Sequence, residues 1–439
     1  MDFLRKNEAR ITRLFVLLNI INFVCMAPKL SNMVILVAMN IVGLAFFFFL
    51  YQRRLNKYAL FFILSALYVY WAELFYFGAT ASFDPLHRIV AAFFAGMVAI
   101  TVYQRNSWPI VSMFYPLPFV LLAGTAGFWL YCWLTGDFSD AYYQNTTRLQ
   151  LFNLHPFRYG MLLAVSCIIC MSVMVKNITA QPYVSRLRGI TFLFSTPVAC
   201  LCFSLCFGLL ILAQSRVAMI ACVIALAVCL LPGIKKLFTL KALAMFAGVV
   251  IVSGALYGLT SDAQERNQIK ERFISVIAAP HEVGSFVSRQ ALWECAVHIV
   301  RENPLLGTGR TSFYREKEAF IRANYAQFTK KYGKDVVDND TLRLENPHNQ
   351  YVSTAVEHGL VGLGFFVILL AYPIYHCVRH RTVREFILPL LVYFAVALLG
   401  DGYLFGNKIS IQGISLYYMT LGAFAGLTSS AAKTPRPKE

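Results

Sequence analysis

Apolar runs long enough to cross a lipid bilayer recur along most of this 439-residue sequence. A transmembrane helix needs about 20 predominantly apolar residues, because the hydrocarbon core of a bilayer is about 30 Å thick. Hydrophobic residues make up 58% of the chain and charged residues 14%, whereas soluble domains average about 45–50% and about 25%. The sequence therefore predicts an all-α polytopic membrane protein and excludes an ordinary soluble domain.

The apolar segments are divided by one long polar region at 261–347. We expect about twelve transmembrane helices, nine of them in residues 1–260 and three in residues 348–428, with a short tail at 429–439. The polar region is expected to form a mainly helical loop domain. The expected spans are 14–30, 33–51, 58–79, 86–103, 109–134, 158–175, 189–213, 216–232, 242–260, 350–376, 386–400 and 411–428.

Basic residues predict the orientation of these helices. In polytopic proteins the short loops on the cytoplasmic side carry an excess of Lys and Arg. On the side that holds both termini we count twenty Lys and Arg, against six in the short loops opposite. Both termini are therefore expected in the cytoplasm and the 261–347 loop outside it. The net charge of +17 follows from this bias and needs no nucleic-acid partner.

Cysteine positions indicate neither a metal site nor a disulfide framework. Ten of the eleven cysteines lie in or beside apolar runs, and Cys295 alone belongs to the polar loop. Buried cysteines act as small hydrophobic residues, and no spacing here resembles a metal-binding motif. No small-residue cleavage site follows the first apolar run, so no cleavable signal peptide is expected. We predict no metal and no cofactor.

Residues 346–350 (NPHNQ) lie where the polar loop meets an apolar helix. Asn346 suits an N-cap and Pro347 the first helical position. His348 would then lie in the first turn, where the helix dipole favours the neutral imidazole that a general base needs. The alternative is a histidine at the membrane interface beside a packing stripe. That stripe would contain Val352, Ala355, Gly359 and Gly362 at helical spacing.

Two arginines are candidates for binding an anion. Ser288 is a plausible N-cap, which would put Arg289 in the first helical turn, where backbone N–H groups and a guanidinium could hold phosphate oxygens. Arg216 interrupts the apolar stretch 189–232, and arginine within a membrane is usually functional. The alternatives are a solvated charge for Arg289 and, for Arg216, a turn that lets the side chain reach the interface.

Weaker candidates are expected on the same external face. Arg148 and Arg158 precede or open the sixth span, and Asp401 follows the eleventh. Asp401 could orient an arginine or a histidine. Residues 338–340 (DND) resemble the acidic triplet that holds a divalent metal in nucleotide-sugar transferases. We reject that interpretation, because the match is short and no nucleotide-sugar donor is available outside the cytoplasm.

The motif residues together resemble the bacterial O-antigen ligase and polymerase superfamily. His348 and Asn349, nine further residues and then 359–362 (GLVG) are similar to its signature. Residues 288–293 (SRQALW) and 304–309 (PLLGTG) resemble its loop pattern, and 214–220 (QSRVAMI) its intramembrane arginine motif. These matches cover some 150 residues in the family's order, whereas the first 140 residues agree only in hydropathy.

The resemblance implies an inverting, metal-independent membrane glycosyltransferase of the GT-C type. Its donor would be a glycan on undecaprenyl pyrophosphate, and its acceptor a sugar hydroxyl at the periplasmic face of the bacterial inner membrane. Carried over residue by residue, His348 would be the general base, and Arg216 and Arg289 would bind the pyrophosphate. Asn349, Arg148, Arg158 and Asp401 are further candidates for contact with pyrophosphate or glycan.

The size of the polar loop favours a ligase within this superfamily. One loop of about ninety residues and no second soluble domain resemble the ligases, whose acceptor is lipid A–core. A polymerase, whose acceptor is another lipid-linked repeat unit, is the first alternative. A lipid-glycan flippase or other transporter is the alternative from another class, although transporters often show inverted repeats and broken midplane helices. Neither feature is evident in the sequence.

Overall fold

The computed structural model describes about half of the chain, from Phe114 onward. The described part is helical and forms no β-sheet, with one isolated bridge between Tyr142 and Leu149, so the helical character of the fold is confirmed. The spans expected at 14–30, 33–51, 58–79, 86–103, 242–260 and 411–428 lie wholly or largely outside it. The described residues are 114–138, 141–142, 148–151, 155–178, 193, 195–231, 247–248, 251–255, 258, 267, 284–309, 312–379, 381–400, 416–417 and 420–424.

Nine α-helices and one π-helical turn make up the main elements of this part. Three α-helices, α1, α2 and α8, are long and apolar enough to cross a membrane, and α3, α4 and residues 386–397 of α9 are shorter apolar helices. The elements are α1 (Pro116–Thr135), α2 (Pro156–Ile178), α3 (Thr196–Leu212), α4 (Arg216–Leu230), α5 (Gly284–Glu302), α6 (Ser312–Ala323), α7 (Tyr325–Tyr332), the π-helix Val336–Thr341, α8 (Gln350–Arg379) and α9 (Arg381–Ala397).

Helix α2 is the centre of the apolar bundle. Every residue from Pro156 to Val175 except Arg158 is buried, which is expected of a helix that is apolar on all sides and enclosed by others. Helices α1, α3, α4 and α9 pack around it. The core of the bundle therefore lies along the length of α2, and Arg158 is the one charged side chain in that buried run.

The apolar stretch 189–232 divides into two helices where the sequence predicts. Helix α3 ends at Leu212 and α4 begins at Arg216, with a turn between them in which Gln214 has φ 49°. Gly160 of α2 lies against this turn, since a Cβ on Gly160 would be 2.7 Å from the Cβ of Ser215. The missing side chain lets α2 approach the turn closely.

The loop domain is built on α5. One face of α5 buries Ala291 and Cys295 against Ile321, Phe328 and Val337. Burial raises the pKa of Cys295 to about 12, and its side chain is a free thiol. A second cluster joins this domain to the membrane bundle, and it consists of Leu292, Ala296, Ile299, Phe313 and, from α8, Val356.

Helix α8 is not one continuous helix. Gly359 has φ 65° and ψ −169°, a conformation that is essentially restricted to glycine. The helix therefore breaks into residues 350–358 and residues 360–379. The second part, 20 residues long, has the length of about 30 Å that a bilayer requires. Helix α8 as a whole is long and apolar enough to be the span expected at 350–376, but the expectation that Gly359 and Gly362 lie on one uninterrupted helical stripe is wrong.

Candidate active site

His348 lies just before helix α8 rather than inside it. The helix begins at Gln350, and the side chain of Asn349 caps it by accepting bonds from the N–H groups of Tyr351 (2.9 Å) and Val352 (3.2 Å). Asn346 caps nothing, because its side chain accepts the N–H of His348 at 3.0 Å in a local turn. The expected N-cap at Asn346 and the first-turn position of His348 are therefore wrong.

The backbone of His348 has an unusual conformation. Its φ of 50° lies in the left-handed region, which few non-glycine residues adopt, although histidine is enriched among them. The turn at Asn346 and the cap at Asn349 hold the chain on both sides of it. His348 is half-buried and lies in a turn that is hydrogen-bonded on both sides, at the N-terminal end of α8.

Residues 304–309 of the loop domain fill the break in α8. The N–H groups of Thr308 and Gly309 donate to the carbonyls of Val356 (2.9 Å) and Glu357 (3.0 Å), which end the first part of the helix. In return the N–H groups that begin the second part donate to loop carbonyls, Leu360 to Pro304 at 2.8 Å and Val361 to Leu305 at 3.3 Å. A helix break leaves such groups without intrahelical partners, so the loop and the broken helix complete each other.

Gly307 is essential to this fit. It has φ 72°, and a Cβ there would be 2.5 Å from both the N atom of Gly359 and the carbonyl oxygen of Val356. The two glycine-containing motifs of the sequence, 304–309 and 359–362, are therefore two halves of one interlocked structure. The sequence indicates both segments, but their contact is visible only in the structure.

Trp293 ties α5 to the turn that holds His348. Its indole Nε1–H donates to the carbonyl of Pro347 at 2.9 Å. Pro347 is buried and directly precedes His348. The motif 288–293 thereby reaches the motif 346–350 through one hydrogen bond.

Arg289 belongs to the same helix but not to its first turn. Helix α5 already includes Gly284, so the anion site expected from a helix N-terminus at Arg289 is wrong. Arg289 instead lies four residues before Trp293, one turn away on the same side of α5. Arg289 is half-buried and lies on the Trp293 side of α5.

Arg216 is the arginine that opens a helix. It is the first residue of α4, after the N-cap Ser215. Exposed N–H groups and the positive end of the helix dipole favour an anion at such a place. The combination of guanidinium and helix N-terminus, which the sequence suggested for Arg289, is realised at Arg216.

One backbone hydrogen bond and one close side-chain contact connect the His348 turn to the start of α4. The N–H of Gln350, two residues after His348, donates to the carbonyl of Leu398 at the end of α9 at 2.9 Å. Two residues further on, Gly400 lies against Val217, the neighbour of Arg216, so closely that a Cβ would overlap the valine methyl groups. The end of α9 thus forms the bridge between His348 and Arg216.

Arg148 and Arg158 lie at the same end of the bundle. Arg158 is two residues before Gly160, which packs on the 213–215 turn. Arg148 precedes Leu149, whose N–H donates to the carbonyl of Leu212 at 3.1 Å. Asp401 lies outside the described residues, although its neighbour Gly400 is at this end too. The structure therefore gathers Arg148, Arg158, Arg216 and the His348 turn around one end of the bundle.

Lys317 is a buried side chain that sequence analysis missed. It is fully enclosed and donates to the carbonyls of Thr341 (2.8 Å), Leu342 (3.0 Å) and Leu344. Burial lowers the pKa of Lys317 to about 8, so the ammonium with its three donors persists at neutral pH. The lysine fixes the chain that runs into Asn346. No local sequence signal distinguishes it from the exposed lysines of the loop.

Glu357 and His358 are the second set of residues that were missed. Both are buried, with exposures of 6% and 7%, directly before the break in α8. Titratable residues within a membrane span are a signal of function. The span expected at 350–376 contains both residues, so this signal was present in the sequence. The backbone carbonyl of Glu357 itself accepts the N–H of Gly309 from the 304–309 loop, and His358 is the last residue before the break.

Residues 338–340 have a structural role in the loop domain. They belong to the π-helix Val336–Thr341, and the carboxylate of Asp338 accepts the hydroxyl of Tyr325 at 2.9 and 3.1 Å. Within the described part of the chain, no three His, Cys, Asp or Glu side chains are grouped as a metal ion would require.

The central part of this chain is similar to known proteins. Residues 201–367 match the family model described as O-antigen ligase, and this stretch contains Arg216, Arg289 and His348. A Haemophilus influenzae protein described only as uncharacterized is 21% identical over 151 residues. That alignment covers 34% of this chain and 34% of the relative, so the chain matches about a third of that protein's length.

Proposed function

Residues 201–367 match the O-antigen ligase family model, and from that match we propose that this chain is a member of the O-antigen ligase/polymerase superfamily and an O-antigen ligase. It transfers O-antigen polysaccharide from undecaprenyl pyrophosphate to a sugar hydroxyl of lipid A–core, with inversion and without a metal. The single observation that carries the proposal is the bridge from His348 through Gln350, Leu398 and Gly400 to Val217 beside Arg216. It brings a potential base and a potential anion site to the same end of one bundle.

The chemistry that we propose begins at the acceptor. His348 takes the proton from the acceptor hydroxyl, and the oxygen forms a bond to the anomeric carbon from the face opposite the leaving group. The bond from that carbon to the pyrophosphate oxygen breaks, and undecaprenyl pyrophosphate leaves with both bonding electrons. A positioned general base of this kind typically contributes about 10²–10⁴-fold in rate.

The arginines act on the leaving group. Arg216, at the N-terminus of α4, and Arg289, on the Trp293 side of α5, would neutralise the negative charge that develops on the pyrophosphate. Guanidinium groups can hold phosphate oxygens in bidentate fashion. Arg148 and Arg158, whose neighbours Leu149 and Gly160 contact residues 212–215, would extend this basic region toward the glycan. The side-chain oxygen of Asn349 caps α8, so its NH₂ group is the part that would contact pyrophosphate or glycan.

The reaction is proposed at the periplasmic face of the inner membrane. The excess of basic residues on the opposite side supports this orientation. Reporter fusions at Asn267 and Lys433 should give opposite signals for periplasm and cytoplasm. Matching signals would contradict the orientation.

One deletion strain tests the class of activity. A ligase deletion should leave complete core without polysaccharide, while polymerised O-antigen accumulates on undecaprenyl pyrophosphate. Loss of a polymerase would instead leave core that carries single repeat units. Loss of a flippase would trap single units on the cytoplasmic side. Gel banding of lipopolysaccharide and analysis of the lipid-linked glycans distinguish the three.

His348→Asn tests the mechanism in the purified protein. Asparagine tolerates the left-handed backbone of position 348 but cannot act as a base, so folding should persist and transfer should fall by about 10²-fold or more. Binding of the lipid-linked donor should be retained. Wild-type transfer is expected to continue with a chelator present. A requirement for Mg²⁺ would contradict the metal-independent mechanism and would support a metal site at residues 338–340.

A further inference from the structure

The outer face of α5 carries an open cavity of about 460 Å³. Five of its lining residues lie on one face of the helix, and they are Trp293, Glu294, Val297, His298 and Arg301; Phe320 of α6 completes the wall. The opposite face of α5 is buried in the two loop-domain clusters. The volume lies within the range of about 300–1,000 Å³ that small-molecule sites occupy.

Flat aromatic surfaces form part of this cavity. The rings of His298 and Phe320 stack with centroids 4.0 Å apart and an interplanar angle of 19°. The indole of Trp293 lines the same space. An aromatic face of this kind packs well against the C–H face of a pyranose ring, which is the less polar surface of a sugar.

Charged groups lie beside the aromatic surfaces. Although burial opposes ionisation, hydrogen bonds from Lys331 and Tyr332 lower the pKa of Glu294. The carboxylate is thus an acceptor at neutral pH, and the guanidinium of Arg301 supplies donors. Sugar hydroxyls both donate and accept, so the pair suits them. A purely apolar ligand would remove water from these charged groups without offering hydrogen bonds in exchange, which is costly.

The position of the cavity connects it to His348. Trp293 lines the cavity and donates its indole N–H to the carbonyl of Pro347, the residue before His348. A sugar seated against Trp293 would therefore lie one side chain away from the turn that carries the proposed base.

We propose that this cavity is a glycan-binding subsite that holds one pyranose unit and positions the chain relative to His348. The inference rests on the proposed transfer reaction and adds a site for its sugar substrate. The pyranose could belong to either of two substrates, the donor polysaccharide or the acceptor core. Binding of an oligosaccharide from each substrate distinguishes them.

Val297→Trp is the variant that fills the cavity. Val297 is 51% exposed, so a larger side chain there enters the open space without disturbing the core. Ala326→Trp is the matched control, because it adds the same bulk at an exposed position of α7 that does not line the cavity. Both variants should melt within a few degrees of the wild type.

Two probes are used with the full-length protein in detergent. One is the repeat-unit oligosaccharide released from its lipid by mild acid, and the other is the core oligosaccharide released from lipid A. Binding is followed by saturation-transfer NMR, and transfer by steady-state kinetics with each lipid substrate varied. We expect one of the two probes to bind at least tenfold more weakly to Val297→Trp. The KM for the corresponding substrate should rise by a similar factor, with kcat nearly unchanged.

Ala326→Trp should behave as the wild type in both assays. Equal binding and equal KM in Val297→Trp and the wild type would overturn the subsite while leaving the transfer activity intact. If the wild type transfers no glycan at all, the proposed function fails. In that case selective loss of oligosaccharide binding in Val297→Trp would still support the subsite.

Discussion

The carbonyl of Leu305 occupies the place where a side chain of Gly359 would be. A Cβ on Gly359 would overlap this carbonyl, and two N–H groups just after the glycine, those of Leu360 and Val361, donate to the carbonyls of Pro304 and Leu305. The loop domain is therefore joined to the membrane helix through the backbone itself. His348 lies directly before the short helical segment 350–358, and Gly359 directly after it. The contacts between residues 304–309 and this segment therefore also fix the position of His348.

Gly359→Ala should destroy this joint. The substitution adds both a steric overlap and a strained φ of 65°, and strain of this kind alone costs about 1–3 kcal/mol. We expect loss of transfer together with a lower melting temperature. Gly364→Ala is the control in the same helix, since nothing lies within 4 Å of a Cβ there, and it should stabilise the helix by up to about 1 kcal/mol. Equal melting of the two variants would contradict the interlocked structure.

Trp293→Phe should slow transfer but leave sugar binding in the cavity on α5 intact. The variant keeps an aromatic face but loses the hydrogen bond to Pro347, which is worth about 1 kcal/mol. The turn at His348 would be less fixed, so kcat should fall by about tenfold, since small misplacements of a catalytic group are costly. Oligosaccharide binding should change little. Trp133→Phe, at a 71% exposed position, serves as the control, and an equal loss of kcat in it would refute this account.

Arg216→Lys and Arg289→Lys test whether the guanidinium group or only its charge is needed. Lysine keeps the charge but cannot form the planar bidentate contact, so both variants should lose about tenfold or more in kcat/KM. Arg315→Lys is a control at an exposed position of α6 and should transfer normally. Near-normal transfer by both variants at normal expression would assign these arginines to structure alone.

Lys317→Met should loosen the chain that leads to His348. It leaves three carbonyls without their shared donor, at a cost on the order of 3 kcal/mol. Hydrogen exchange at residues 341–350 should accelerate. Lys330→Met, at an exposed position of α7, should change stability by less than about 0.5 kcal/mol.

The pH dependence of stability provides a second readout for Lys317. The folded pKa of Lys317, about 8, lies below the ordinary lysine pKa of 10.5, so between these values the unfolded chain binds more protons. Stability therefore rises with pH in this window and is independent of this group below it. The melting temperature of the wild type relative to Lys317→Met should increase from pH 8 to pH 10. A constant difference would show that the lysine is not buried as described.

Local sequence patterns predicted the features that depend on neighbouring residues. Apolar runs predicted both ends of α2 and α4, and the C-terminal ends of α1, α3 and α9, to within about three residues, because a helix that faces lipid or a bundle core must be apolar throughout. The polar break at 214–216 was predicted for the same reason. The motif residues and their superfamily were also accessible from sequence, since they follow one another in a recognisable order.

Only the tertiary structure decided how these motifs meet. Asn346 and Asn349 are equally good caps by residue type, and Trp293, whose indole donates to Pro347 54 residues away, is part of the packing that holds the turn between them. By residue type alone, Gly359 could have continued the helix. The break in α8 at Gly359 is stabilised because carbonyls and N–H groups of residues 304–309 replace the lost helical hydrogen bonds. The sequence by itself determined the apolar helices and the reactive side chains. Contacts between distant residues determined where His348 stands, which arginine opens a helix, and why Lys317 is buried.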